Sequence, residues 1–226
     1  MHKFEGKLLA QALVKYLAGL LMVGALLFLP SGTLDYMNAW ILIIALFVPI
    51  FIAGVVMLIS APDLLRKRLD NKEQEPVQKR VVAMSGMIFL TSFILAGLDY
   101  RFGWSHLPSW VIWTATVVLV LAYLLYVEVM RENAYLFRTV KVQENQKVVD
   151  TGLYGIVRHP MYSTTILLFL AMPLVLGSIM SFTVMLAYIP IINSRIKHEE
   201  RLLTHELDGY KAYKQKVIYK VVPFIW

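Results

Sequence analysis

The chain has 226 residues, 58% of them hydrophobic and 16% charged, with mean hydropathy +0.63 and formal net charge +7. A soluble domain is about half apolar, so the excess points to lipid, and the length is better counted in spans of roughly 20 apolar residues. With no cysteine, disulfides, thiolate metal sites, cysteine nucleophiles and palmitoyl anchors are excluded. No other metal site is expected.

Taken in chain order, residues 8–29, 40–60, 81–98 and 110–127 are apolar runs that predict four full membrane crossings. The first is longer than the roughly 7–15 residues of a signal-peptide core, and a second run follows closely, so it reads as a retained helix. Lys15 lies near its end, where a long stem can carry the ammonium to the headgroups. A fifth stretch, 161–192, is interrupted by Pro173 and Gly177-Ser178. Proline removes a donor and glycine relaxes the helix, which predicts a helical hairpin turning at 176–180 with both ends on one side.

The loops between these runs alternate in Lys and Arg content. The N-terminal segment, residues 61–80, the segment after the fourth run and the segment after the hairpin together carry 21 of the 22 basic residues; Arg101 is the exception. By the positive-inside rule that face is cytoplasmic and both termini lie on it. The positive balance is therefore a record of topology and not of nucleic-acid binding. Arg66-Lys67-Arg68 reads as headgroup contact. His106 falls on the outer face with no evident role.

Two polar segments, 128–159 and 193–226, share the cytoplasmic face. The hairpin between them should bring Arg158 and His159 close to Glu199 and Glu200 although about 40 positions separate them. Within the first segment, 139–149 alternates loosely and predicts a short β-ribbon. Residues 151–155 form a glycine-punctuated loop. Arg158-His159-Pro160 then sets a proline at a helix start, leaving free N–H groups and a positive dipole end beside two basic side chains, which suits an anion. Plainer readings stand beside these. The Arg-His pair can contact headgroups, and Glu199-Glu200-Arg201 can be a solvated helix start with Glu200 paired to Lys197. Tyr210 and Tyr213 lie on the stripe Leu203, Leu207, Tyr210, Tyr213, Val217 of an amphipathic interfacial helix. Glu128 and Glu132 share a helix face and either reach water or contact the pocket.

The stretch Asp150-Thr-Gly-Leu-Tyr-Gly-Ile-Val-Arg-His-Pro-Met-Tyr162, an apolar hairpin, Glu199-Glu200-Arg201-Leu202-Leu203, and the terminal Tyr210, Tyr213, Val217, Pro223 and Phe224 resemble the isoprenylcysteine carboxyl methyltransferase family and its phospholipid methyltransferase relatives. The resemblance covers roughly 132–226, with Asn133 matching a family asparagine. It implies an all-α, multi-span membrane bundle of four full spans plus a C-terminal hairpin, without a Rossmann domain. Residues 1–109 would be N-terminal membrane helices and 110–226 the catalytic core. It further implies S-adenosylmethionine as cofactor, in a cytoplasmic pocket closed by the C-terminal segment, and a lipophilic acceptor entering from the bilayer among membrane lipids. The membrane would be the inner membrane in a bacterium and the endoplasmic reticulum in a eukaryote. Carried over residue by residue, Gly152, Tyr154, Val157, Arg158, His159, Pro160, Tyr162, Glu199 and Glu200 fall in the cofactor pocket, with Arg158 and Glu199 as the catalytic pair. Leu153 and Thr164 depart from family proline and glycine, the second bearing on pocket shape.

The chemistry agrees with that assignment. Arg158 or the N–H groups near Pro160 can hold the cofactor carboxylate, Glu199 or Glu200 its amine or ribose, and Tyr154, His159 or Tyr162 its adenine. Methyl transfer from a sulfonium is then mostly positioning and desolvation. A carboxylate acceptor needs no general base, whereas an amine or hydroxyl would call on a glutamate. The alternative is an NADPH-dependent membrane reductase of sterol-reductase-like architecture, which should demand more cations for its phosphates.

Overall fold

The computed structural model describes residues 6–69, 76–133 and 146–226. Among them every regular element is helical. Helix α1 runs over Gly6–Ser31, α2 over Met37–Ser60, the short α3 over Pro62–Leu69, α4 over Pro76–Phe102 and α5 over Ser109–Glu132. After a single 3-10 turn, Gly152–Gly155, come α6 (Pro160–Val175), α7 (Ile179–Met185), α8 (Tyr188–Glu206) and α9 (Tyr210–Lys216). Most of the ribbon expected over 139–149 lies outside the described residues, and 146–149 are not strand.

Among the described residues five stretches are long and apolar enough to cross a membrane: Gly6–Ser31, Met37–Ser60, Lys79–Phe102, Ser109–Glu132 and Ile179–Glu206. The first four are the crossings read from the sequence. The fifth is the returning arm of the hairpin, divided into α7 and α8 by a turn at Leu186-Ala187 that the apolar pattern does not announce. Leu21, Ile44, Trp110, Trp113 and Leu124 point outward and exposed, the apolar exterior that a multi-pass membrane protein needs.

Helix α5 packs along α6, and α1 along α4. The second contact is set by Gly97: a Cβ there would lie 2.6 Å from the Leu27 carbonyl oxygen and 3.0 Å from Pro30 Cβ. Only a bare backbone lets the helices approach so closely. Leu27, Tyr36, Leu42, Ala96, Leu119 and Val175 belong to one buried cluster that joins the N-terminal helices to α5 and α6.

The hairpin turns where expected. Gly177 adopts φ 78°, a left-handed conformation that costs glycine little, and the Ser178 hydroxyl caps α7 by accepting from the Ser181 N–H at 3.0 Å. The tip is fastened from two sides. The Tyr36 hydroxyl donates to the Leu176 carbonyl at 2.7 Å. Asp99, 2% exposed, accepts from the Ser105 N–H at 2.7 Å, from the Ser105 hydroxyl at 2.6 Å and from the Ser178 hydroxyl.

At the opposite end, Lys15 differs from its expected role. Its ammonium donates to the carbonyl of Leu69, the last residue of α3, where a cation complements the helix dipole.

Candidate functional site

The site is assembled at the end of the bundle where α6 begins and α8 finishes. Its first wall is the 3-10 turn. Glu132, the last residue of α5, turns its carboxylate onto the Leu153 N–H at 2.9 and 3.1 Å. This places an anion at the exposed amides that open the turn. Gly152 sits directly beneath with φ 55°, and a Cβ there would stand 1.8 Å from Glu132 Oε1. The two readings left open for Glu132 thus resolve into contact with the glycine loop, while Glu128 pairs with Arg131 at 2.6 Å on the exposed side.

Tyr154 is buried, and its carbonyl accepts from the Tyr213 hydroxyl at 2.8 Å. Burial pushes the Tyr154 phenol well above its ordinary range against an opposing hydrogen bond with Asn133. Val157 is buried beside it.

Arg158 and His159 are held by backbone and side chain at once. Their N–H groups donate to the carbonyls of Tyr219 and Lys220 at 2.9 and 2.8 Å. The Arg158 guanidinium, 7% exposed, donates from Nε to Glu200 Oε1 at 2.7 Å and from Nη1 to the carbonyls of Val217 and Ile218 at 2.7 and 2.8 Å. His159 Nε2 lies 3.3 Å from the same Glu200 oxygen, and Lys214 Nζ 3.8 Å from the other. Glu200 is as buried as its partner, also 7% exposed. A buried carboxylate surrounded in this way is charge-compensated. The pairing with Lys197 at helical spacing is accordingly replaced by long-range partners.

Glu199 faces elsewhere. It accepts from the Tyr162 hydroxyl at 2.6 Å, and that hydroxyl in turn accepts from Arg195 Nε at 2.9 Å. Arg195, whose carbon Cζ stands 6.0 Å from the Tyr162 ring centroid, is a site residue that the sequence reading counted only toward topology. Its signal was the i, i+4 relation to Glu199 on one helix.

Pro160 opens α6 as expected, and the amides of Arg158, His159, Tyr162 and Ser163 around it are already engaged. The N–H groups of Tyr162 and Ser163 return to the His159 carbonyl at 2.9 and 3.2 Å, and those of Arg158 and His159 are taken by the C-terminal segment. That segment is sewn down further by the Ser163 hydroxyl donating to the Val221 carbonyl at 2.6 Å. Thr164, at the position where the resemblance implies glycine, is buried with its hydroxyl donating to the Met161 carbonyl at 2.7 Å, so it is satisfied within its own helix.

The C-terminal tyrosines are core residues and not a lipid-facing stripe. Leu207, Tyr210, Tyr213 and Val217 form a buried cluster with Val148 and Leu203, because α8 stops at Glu206 and Gly209, with φ 82°, turns α9 back onto the protein. The Tyr210 and Tyr213 phenols are both raised above their ordinary range, chiefly by burial; for Tyr210 the Glu200 and Glu199 carboxylates add to it. Below them the exposed Asp150 carboxyl is held under the usual carboxylate range by its hydrogen bond from Lys216 at 2.7 Å.

Two buried polar atoms among the described residues lack partners: the Tyr210 hydroxyl and Asn193 Oδ1. Tyr210 is 4% exposed and feels both glutamates, and Asn193 lies two helical turns before Glu200 on the same side of α8. Buried polar groups are normally satisfied. An unpaired donor beside two carboxylates is what a polar ligand would complete.

Residues 110–209 match the model of the phospholipid methyltransferase family. No curated protein matches the chain.

Proposed function

We propose, from the match of residues 110–209 to the phospholipid methyltransferase family, that this chain transfers a methyl group from S-adenosylmethionine to a lipophilic acceptor at a membrane interface. The observation that carries the reading is the unsatisfied buried Tyr210 hydroxyl, which feels the Glu200 and Glu199 carboxylates of the Glu200–Arg158–His159 and Glu199–Tyr162–Arg195 groupings; Asn193 Oδ1, two turns earlier on α8, is a second unsatisfied atom. S-adenosylmethionine carries a carboxylate that a phenol can hold and an amine and ribose hydroxyls that a carboxylate or amide oxygen can accept from, so these residues fit it. When bound, it supplies an electrophilic methyl on a sulfonium with a good leaving group.

Glu199 and Tyr210 are then the groups that touch the cofactor. Arg158 is a positioning residue: it neutralises Glu200 and holds the carbonyls of Val217 and Ile218, which fixes the C-terminal segment over the pocket. Orientation and exclusion of water do the rest. The acceptor is a prenylcysteine-type carboxylate or a related lipid, and the pocket opens to the cytoplasmic face with both termini on that side, as the basic residues require.

The test is calorimetric titration of the detergent-purified chain, followed by labelled methyl transfer to membrane lipid extract and prenylcysteine analogues with products identified by mass spectrometry. Micromolar affinity for S-adenosylmethionine and a labelled lipid product are expected. Binding of NADPH with no affinity for S-adenosylmethionine would overturn the reading.

A further inference from the structure

Residues 217–226, Val217-Ile-Tyr-Lys-Val-Val-Pro-Phe-Ile-Trp226, follow α9 without regular structure and carry a single charged side chain, Lys220. Their backbone is nonetheless engaged. Six consecutive carbonyls accept hydrogen bonds: those of Val217 and Ile218 from Arg158 Nη1, those of Tyr219 and Lys220 from the Arg158 and His159 N–H groups, that of Val221 from the Ser163 hydroxyl, and that of Val222 from the Trp226 N–H. In return the N–H groups of Lys220, Val221 and Val222 converge on the Trp226 carbonyl at 2.8, 2.8 and 3.0 Å, and Pro223 has no N–H to satisfy. A loop facing water has no need of such closure, because water completes its polar groups.

The side chains divide into two sets. Val221 is buried and Trp226 half-buried against Tyr162 of α6 and Tyr188, Ile192 and Ile196 of α8. Since α8 belongs to the apolar stretch Ile179–Glu206, the loop is seated on the flank of an arm long enough to cross a membrane. Phe224 and Ile225 point the other way. At 86% and 83% exposed they are the most exposed large apolar residues described. Phe224 is also the one described non-glycine residue with a positive φ, 65°, a conformation that bulky residues avoid. Strained backbone thus holds an aromatic ring away from the protein, with Tyr219 beside it at 5.4 Å between centroids.

Apolar side chains on a closed, irregular backbone suit the boundary of a bilayer, where open polar groups are costly and aromatic rings collect. The other four tryptophans do not serve this boundary: Trp40, Trp110 and Trp113 stand in the first turns of α2 and α5, and Trp104 in the loop between α4 and α5. We propose that 217–226 is an interfacial anchor, with Phe224 and Ile225 entering the headgroup and acyl boundary of the leaflet at the catalytic end, about 5–10 Å deep. Its continuity with the apolar flank of α8 assigns the occupant as lipid. The same loop grips Arg158 and His159, so the leaflet bears directly on a wall of the candidate site. The placement does not depend on the methyltransferase reading.

The chain has no cysteine, which allows single thiols to be spin-labelled in the full protein. Phe224→Cys and Ile225→Cys are labelled in phospholipid nanodiscs, with Leu124→Cys on the lipid side of α5 and Gln215→Cys on the exposed side of α9 as references. Power saturation then compares collisions with oxygen, which concentrates in lipid, and with a water-soluble nickel chelate. At 224 and 225 the ratio of oxygen to nickel accessibility should exceed the Gln215 value severalfold and approach that of Leu124. A ratio equal to that at Gln215 would place the loop in water and overturn the proposal. Low accessibility to both reagents would show cover by protein, from this chain or a second copy, and would overturn it too. Should Phe224→Cys not fold, Ile225→Cys, which keeps the Phe224 ring in place, decides alone. The measurement uses no cofactor, so its outcome is separate from that of the calorimetric test.

Discussion

Glu132 and Gly152 share one small volume: the carboxylate of the first occupies the place where a side chain on the second would begin, 1.8 Å from a would-be Cβ. By accepting from the Leu153 N–H, the same carboxylate joins the end of a membrane helix to the loop that leads into the site, across 21 positions of sequence.

Gly152→Ala should consequently be more damaging than its size suggests. The left-handed conformation alone costs a non-glycine residue about 1–2 kcal/mol, and the methyl also evicts the Glu132 carboxylate. A lowered melting temperature in detergent is expected, with loss of cofactor binding. In the Glu132→Ala background the collision is gone and only the strain remains, so the further drop caused by Gly152→Ala should shrink.

Arg158→Ala and Glu200→Ala each take the closest opposite charge from a buried group; a fully broken buried pair costs about 3–5 kcal/mol, and His159 and Lys214, which still flank Glu200, keep the Arg158→Ala loss toward the lower end. Arg158→Lys should not rescue. A single ammonium cannot reproduce the fork that reaches Glu200 and two carbonyls together. Thermal melts of the two single variants and the double variant should reveal strong coupling; additive losses would contradict the pairing.

Tyr210→Phe separates binding from stability. The hydroxyl has no partner within the protein, so its removal relieves a buried unsatisfied group and the fold should be no less stable. Affinity for S-adenosylmethionine should fall by roughly tenfold, the worth of one hydrogen bond in the upper part of the usual range. Calorimetry and a melting curve on the same sample check both halves.

The raised phenols of Tyr154, Tyr210 and Tyr213 carry a pH signature. Their folded values lie above the unfolded value of about 10, so their stabilisation is complete below about pH 10 and is lost as pH rises through the folded values. Circular dichroism should show a flat melting temperature from neutral to mildly alkaline pH and a decline beyond. Y210F/Y213F should weaken that alkaline decline.

Hydrophobic runs long enough to span a bilayer are legible because lipid leaves little freedom, and α1, α2, α4 and α5 lie where those runs predict them. The hairpin was legible for the same reason, with Gly177 supplying the turn. What could not be read was the division of labour between adjacent residues. Glu199 and Glu200 are interchangeable on paper, but neighbours on a helix point about 100° apart, so one meets Tyr162 and the other Arg158. An amphipathic stripe likewise does not say whether its apolar side meets lipid or protein. For Tyr210 and Tyr213 the turn at Gly209 decides it in favour of protein. Asp99 follows directly on the third apolar run, 81–98, and only its three-dimensional neighbours Ser105 and Ser178 make it a buried fastening.

That fastening has a mechanical corollary. The hairpin is clamped at its tip by Asp99 and Tyr36, and at its root by the C-terminal carbonyls that hold Arg158 and His159. A beam fixed at both ends transmits load without swinging. On the proposed function, a greasy acceptor would enter alongside the beam, through lateral parting of neighbouring helices, and not by its tilting like a door.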